Sequence, residues 1–195
     1  MSRRLLVIAS AMVALATALT GYLLYTRIVT TIPATPLIGG PFRLVAQDGT
    51  QFDSRTLDGK PYAVFFGFTH CPEVCPTTML EVSHVFDELG DKADDLTVYF
   101  ITIDPERDTP EVLQDYVSSF TGHIVGLWGT PEQIAEVAKK FRVYYEKVPT
   151  SDGDYTMNHS ASIYLMGRDG LFKSLVSYSD SPEDFLRKFR ELLSE

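Results

Sequence analysis

The stretch Tyr62-Ala-Val-Phe-Phe-Gly-Phe68-Thr-His-Cys71-Pro-Glu-Val-Cys75-Pro76 decides the fold. Its first seven residues are almost continuously apolar, the pattern of a strand buried on both faces of a sheet. Beyond Pro76, apolar residues recur at Met79, Val82, Val85, Phe86 and Leu89, and Gly90 follows as a stop signal. That spacing predicts a helix closed by a C-terminal glycine. The chain's two cysteines therefore sit between the end of a buried strand and the start of a helix. Two cysteines in that place predict a thioredoxin-like arrangement.

Strands and helices keep alternating downstream. Leu96-Thr-Val-Tyr-Phe-Ile-Thr-Ile103 reads as a second buried strand. Asp108-Thr-Pro-Glu111 opens a helix through about Phe120, with a cap residue and a proline at its start. Val125-Gly-Leu-Trp128 is a short strand, and Thr130-Pro-Glu-Gln133 opens a helix to about Val143. Ala161-Ser-Ile-Tyr-Leu-Met166 and Phe172-Lys-Ser-Leu-Val-Ser177 flank a Gly167-Arg-Asp-Gly170 turn, and Ser181-Pro-Glu-Asp184 opens a last helix to about Leu193. Upstream, Phe42-Arg-Leu-Val-Ala46 and Thr50-Gln-Phe52 flank a turn and read as a small hairpin. The class is α/β: a thioredoxin-like mixed sheet flanked by helices.

The charge divides the 195 residues in two. All 26 acidic residues and 14 of the 17 basic ones lie after residue 27. An acidic domain lacks the electrostatic footprint of a nucleic-acid binder. Two cysteines exclude a disulfide-stapled miniprotein and a site of four thiolates holding zinc or an iron–sulfur cluster.

Between Arg4 and Arg27 there is no charged residue. A helix over those 22 positions spans about 33 Å at 1.5 Å per residue, close to the hydrocarbon thickness of a bilayer. Arg3 and Arg4 hold the N-terminus in the cytoplasm by the positive-inside rule, and Tyr22 and Tyr25 suit the far interface. Residues 1–27 are thus expected to be a transmembrane anchor. A cleaved signal peptide is the alternative, with small-residue sites at Ala14-Leu-Ala16 and Ala16-Thr-Ala18. No Arg/Ser-rich transit peptide precedes the apolar run, so the membrane expected is a bacterial inner membrane with the domain in the periplasm. Residues 28–41, with three prolines and two glycines, read as a tether. The folded domain is then 42–195.

A helix N-terminus lowers the pKa of a nearby thiol, and the thiolate is the form that binds metal or attacks a disulfide. Three residues separate Cys71 from Cys75, one more than in thioredoxins, which leaves both sulfurs free to meet one ion. Two thiolates are soft ligands and select Cu(I), with zinc the main competitor. A third ligand from elsewhere would complete a trigonal site. Of the four histidines, His84 lies beside Glu81 and Glu88 on a polar helix side, His123 sits in a Gly-His turn, and His70 ends the strand. His159 precedes the strand whose loop packs on the cysteine turn in a thioredoxin-like sheet, so it is the candidate. Asp104 ends the second central strand. It is either a weak partner of the metal or, with Arg107 and Asp108, an organiser of the turn and helix start. Met79 and Met166 read as core, and Met157 as a nearby thioether. The bland reading of the cysteines is a disulfide staple, which would close a loop of only three intervening residues and stabilise little.

Cys71-Pro-Glu-Val-Cys75-Pro76, Asp104-Pro-Glu-Arg-Asp-Thr-Pro110 and the Asn158-His159-Ser160 loop together resemble the Sco/SenC family over about residues 36–195. These are membrane-anchored, thioredoxin-like copper chaperones of cytochrome c oxidase. The resemblance implies a copper ion held by Cys71, Cys75 and His159. It also implies delivery to the dinuclear copper centre of cytochrome c oxidase subunit II, with a copper donor and a thiol reductant as further partners. The proline that thioredoxins carry directly before the penultimate strand is missing, since Pro149 lies ten residues before His159. That suits a metal site better than a general disulfide reductase. The alternative remains a thiol–disulfide oxidoreductase that reduces the cysteines of the copper-accepting subunit through Cys71 and Cys75. A peroxidase is a weaker third reading on Thr69 and Thr77.

Overall fold

Every residue of β3, Tyr62–Gly67, is buried, as a run without polar alternation requires. The computed structural model describes residues 3–31, 38–151 and 153–194. Around β3 are ranged β1 (Arg43–Ala46), β2 (Gln51–Asp53), β4 (Thr97–Thr102), β5 (Ile124–Trp128), β8 (Ser162–Met166) and β9 (Phe172–Ser177). They form one mixed sheet in the order β2-β1-β5-β4-β3-β8-β9. The three central strands β3, β4 and β5 are parallel, and the outer strands join antiparallel. Parallel neighbours need crossovers, and helices supply them: α2 (Val74–Leu89) joins β3 to β4, and α3 (Pro110–Val117) joins β4 to β5.

The remaining helices of this unit are α4 (Pro131–Phe141) and α5 (Pro182–Leu193). Three starts carry the signals read from sequence. Thr109, Thr130 and Ser181 are N-caps whose hydroxyls accept backbone N–H groups, each followed by proline. The core lies on both sheet faces. Phe66 meets Phe141 of α4 on one, while Phe65 and Phe100 on the other lead to Tyr116 of α3.

Three details differ from the sequence reading. The α2 helix begins two residues before Pro76, so Cys75 lies inside its first turn and is buried. A proline is tolerated there because the first-turn N–H groups have no intrahelical acceptor. An additional hairpin, β6 (Tyr145–Pro149) with β7 (Tyr155–His159), forms a separate two-stranded ribbon. His159 is consequently the last residue of a strand, not a residue of an open loop. The third helix stops at Val117, short of Phe120.

The chain divides into two compact units, Met1–Pro36 and Leu37–Glu195. In the first, α1 runs Arg3–Thr31, so its last residues fall in the stretch read as a tether. Residues 32–37 of that tether lie outside the described residues. Ile8, Met12, Val13, Leu15, Leu19, Leu23 and Leu24 are exposed around this helix. Among the described residues no helix is long and apolar enough to cross a membrane. Side chains at 4–7, 9 and 27, within the expected anchor, lie outside that description.

Candidate metal centre

Gly67 closes β3 where the chain turns toward the cysteines. A Cβ there would come within 2.8 Å of a Phe65 ring carbon and 2.9 Å of a Phe100 ring carbon, so only glycine fits. Its carbonyl accepts the N–H of Ile103 at 2.9 Å and ties the ends of β3 and β4 together. Beyond it Phe68 is buried, and its carbonyl accepts the Cys71 N–H at 3.2 Å.

The floor under this turn is Asp108, fully buried. Its carboxylate accepts the Thr69 N–H at 3.0 Å, the Thr69 hydroxyl at 2.6 Å and the Thr102 hydroxyl at 2.6 Å. A buried carboxylate is costly unless its oxygens are satisfied, and here three donors satisfy them. The loop after β4 is thereby fastened to the loop after β3.

Cys71 is half-buried and Cys75 is buried, and both thiols are free. The Cys75 N–H, at the open start of α2, donates to Cys71 Sγ at 3.3 Å. This is the helix-end effect expected from the sequence, aimed at one sulfur. The Cys71 thiol is lowered to about 4, first by a hydrogen bond with the Cys75 thiol, then by His159 and by backbone N–H groups, against the opposing effect of burial. The Cys75 thiol is pushed up by that same bond, by burial and by the charge on Cys71.

His159 arrives from β7. Its Nε2 lies 3.7 Å from Cys75 Sγ, and its ring stands edge-on to Phe65 and Phe68. Its Nδ1 is 3.0 Å from the Ser160 carbonyl, which can only accept, so Nδ1 donates there and Nε2 is the nitrogen turned toward the sulfurs. A carbonyl on the far nitrogen is how metal-binding imidazoles are usually oriented. The Cys71, Cys75 and His159 donor atoms all lie within 4.8 Å of one another. Two sulfurs and one imidazole suit copper.

Among the described residues neither Asp104 nor another histidine belongs to this group. Asp104 is fully buried, but its oxygens are taken by Arg107 Nε at 2.5 Å and the Tyr155 hydroxyl at 2.8 Å. It organises its loop, the second of the two roles read for it. Met79, Met157 and Met166 are buried in the core. His84 is exposed, His123 stacks on Phe86 at 4.3 Å, and His70 reaches the Thr69 hydroxyl at 3.2 Å. The sequence reading missed Tyr155 and the Ser160 carbonyl. The Asp-Gly pair at 152–153 of the sequence, between two short mixed runs, was the available signal for their hairpin.

Residues 30–194 match the model of the SCO1/SenC family. The chain is 44% identical over 140 residues to the mitochondrial SCO1 homologue of Homo sapiens, covering 70% of this chain and 46% of that one. It thus spans less than half the length of the human protein. Among solved structures, Bradyrhizobium japonicum ScoI with copper bound shares 49% identity at a TM-score of 0.73, covering 80% of this chain and 99% of that one. More distantly, BsSco, a member of the Sco family of cytochrome c oxidase assembly proteins, shares the fold at a TM-score of 0.64 and 23% identity, covering 82% and 95%. By sequence, by fold and by a Cys-Cys-His group able to hold the copper found in its relative, this chain belongs to the SCO1/SenC family.

Proposed function

We propose that this chain is a copper metallochaperone. Cys71, Cys75 and His159 hold the ion, and the chain passes it to the dinuclear copper centre of cytochrome c oxidase subunit II. The observation that carries this reading is the convergence of two thiols and one imidazole nitrogen within 4.8 Å of one another. The partly exposed Cys71 gives an acceptor a way in, so the ion can leave by exchange of one ligand at a time. A copper donor loads the site, and a thiol reductant keeps both sulfurs reduced.

The N-terminal helix holds the chain in a bacterial inner membrane with the domain facing the periplasm. This reading is supported by the uncharged run between Arg4 and Arg27, the two arginines before it and the exposed apolar side chains on α1. Copper handling outside the cytoplasm fits that placement.

Competition between the reduced full chain, in detergent, and a Cu(I) chelator tests the site. One ion per chain, lost in Cys71→Ser, is expected. Unchanged stoichiometry and affinity in that variant would remove the assignment.

One observation favours a second reading, a thiol–disulfide oxidoreductase acting on the acceptor's cysteines. Cys71 is the accessible, low-pKa thiol and Cys75 the buried, protonated one, the asymmetry of a nucleophile and its resolver. Cys71 would attack the target disulfide, and Cys75 would displace it from the mixed disulfide. Two electrons would pass to the target and leave Cys71 and Cys75 oxidised.

A further inference from the structure

We propose that Tyr155 is a positioning residue for His159: its hydroxyl bond to Asp104, backed by Arg107, sets the angle of the β6/β7 hairpin and so the reach of the third ligand. This rests on the reading of His159 as a copper ligand.

The hairpin raises the question of what holds it. Among the described residues its two strands pair only with one another and share no ladder with the seven-stranded sheet. A lone two-stranded ribbon is marginal in water and takes its orientation from what its side chains touch. At its base, the Ser160 N–H donates to the Tyr144 carbonyl at 3.0 Å, which closes the ribbon on itself.

Along β7, Tyr155, Met157 and His159 occupy alternate positions and so face one side. Met157 is buried in the core and His159 meets Cys75. Tyr155 is the third point of this face, about 14 Å along the strand from His159 at about 3.4 Å per residue. There its hydroxyl donates to the buried Asp104 at 2.8 Å. The Arg107 guanidinium lies 3.8 Å from the centre of the Tyr155 ring, and its Nη1 donates to the Tyr155 carbonyl at 2.9 Å. Arg107 Nε also holds Asp104.

Asp104 and Arg107 belong to the loop after β4, which Asp108 fastens to the cysteine turn. The same loop therefore anchors both ends of the geometry, the thiols through Asp108 and the histidine strand through Tyr155. A hairpin released at Tyr155 would be free to twist about its own long axis, which turns the His159 ring, on the same face of β7, away from the sulfurs while the thiols stay in place.

The test is a double-mutant cycle on the full chain in detergent, with Cu(I) affinity read by chelator competition. Tyr155→Phe keeps the ring and removes only the hydroxyl. It should weaken Cu(I) retention on the order of 10-fold, the usual scale for groups that orient a ligand. In the His159→Ala background the same change should have an effect of about twofold or less, because nothing remains to position. Arg107→Lys, which removes the fork and the stack, should follow the same pattern. Alkylation of Cys71 at neutral pH should match wild type in both, which general damage to the fold would not leave intact. Unchanged affinity in Tyr155→Phe overturns the proposal, and so does an equal loss in both backgrounds. If His159→Ala alone leaves affinity unchanged, the ligand reading itself fails and takes this one with it.

Discussion

His159 Nε2 lies 3.7 Å from Cys75 Sγ, although 84 residues separate them in the chain. Cys75 is set by the first turn of α2 and His159 by the end of a hairpin that stands outside the main sheet. Two elements with independent supports thus deliver donors to one point. In such an arrangement one donor can be displaced without moving the other.

Alkylation should distinguish the two thiols. With its pKa lowered to about 4, Cys71 should react with iodoacetamide at a nearly constant rate from neutral pH down to about pH 5, falling off only below. Cys75 should stay unmodified until the protein is unfolded. Mass spectrometry of timed samples checks this. A Cys71 rate that climbs steeply between pH 7 and 9, as for an ordinary thiol, would contradict the geometry.

The same thiol links stability to pH. The folded value of Cys71 lies below the unfolded one, so its contribution is fully present above the ordinary thiol pKa and is lost as pH falls through about 4. Cys75, raised in the folded state, acts oppositely and destabilises as pH rises past its ordinary value. The reduced protein should therefore gain stability between about pH 4 and 9 relative to Cys71→Ser. Denaturant melts of the two at several pH values measure it, and a constant difference would count against the shift.

Asp108→Asn should cost about 3 kcal/mol of stability, the scale of losing charge-assisted hydrogen bonds in a buried site. The Thr69 N–H and the Thr69 and Thr102 hydroxyls all point at that carboxylate, and an amide cannot accept at both positions. Urea unfolding reads this directly. A loss under about 0.5 kcal/mol, the scale of an ordinary surface change, would mean the carboxylate does not organise the floor of the site.

Gly67→Ala should cost about 1–3 kcal/mol, because the new methyl group meets Phe65 and Phe100 rings that are already packed. A thermal midpoint equal to wild type would show that the rings yield freely.

Much of this was legible in the sequence because periodicity and capping are local. The continuous apolar run of β3, the Thr130 and Ser181 caps and the Gly-bounded turn before β9 each announce their element without reference to the rest of the chain. The cysteine pair was legible for the same reason. His159 could be singled out only through its place before a strand, and its hairpin was missed because β6 and β7 are short, mixed in polarity and stabilised by docking. The bond of Tyr155 to Asp104 was not readable, since a contact over 51 residues leaves no local pattern. The helix start at Val74 was hidden by Pro76, which reads as a boundary but sits inside the first turn.

The anchor has its own test. Mass spectrometry of the membrane-extracted protein should find the N-terminal segment retained. A mature N-terminus near Leu19 would show a cleaved signal peptide instead.

Copper delivery is tested most directly in cells that carry His159→Ala, Cys71→Ser or the wild-type chain, by measuring the copper content of the assembled oxidase beside the rate of model-disulfide reduction by each purified chain. Dithiol exchange needs only the two sulfurs, whereas holding copper needs the imidazole as well. The account predicts that His159→Ala loses oxidase copper as Cys71→Ser does, while its disulfide-reduction rate stays within about threefold of wild type, under 1 kcal/mol in barrier. Normal oxidase copper in His159→Ala, together with its loss in Cys71→Ser, would contradict copper delivery and leave the reductase.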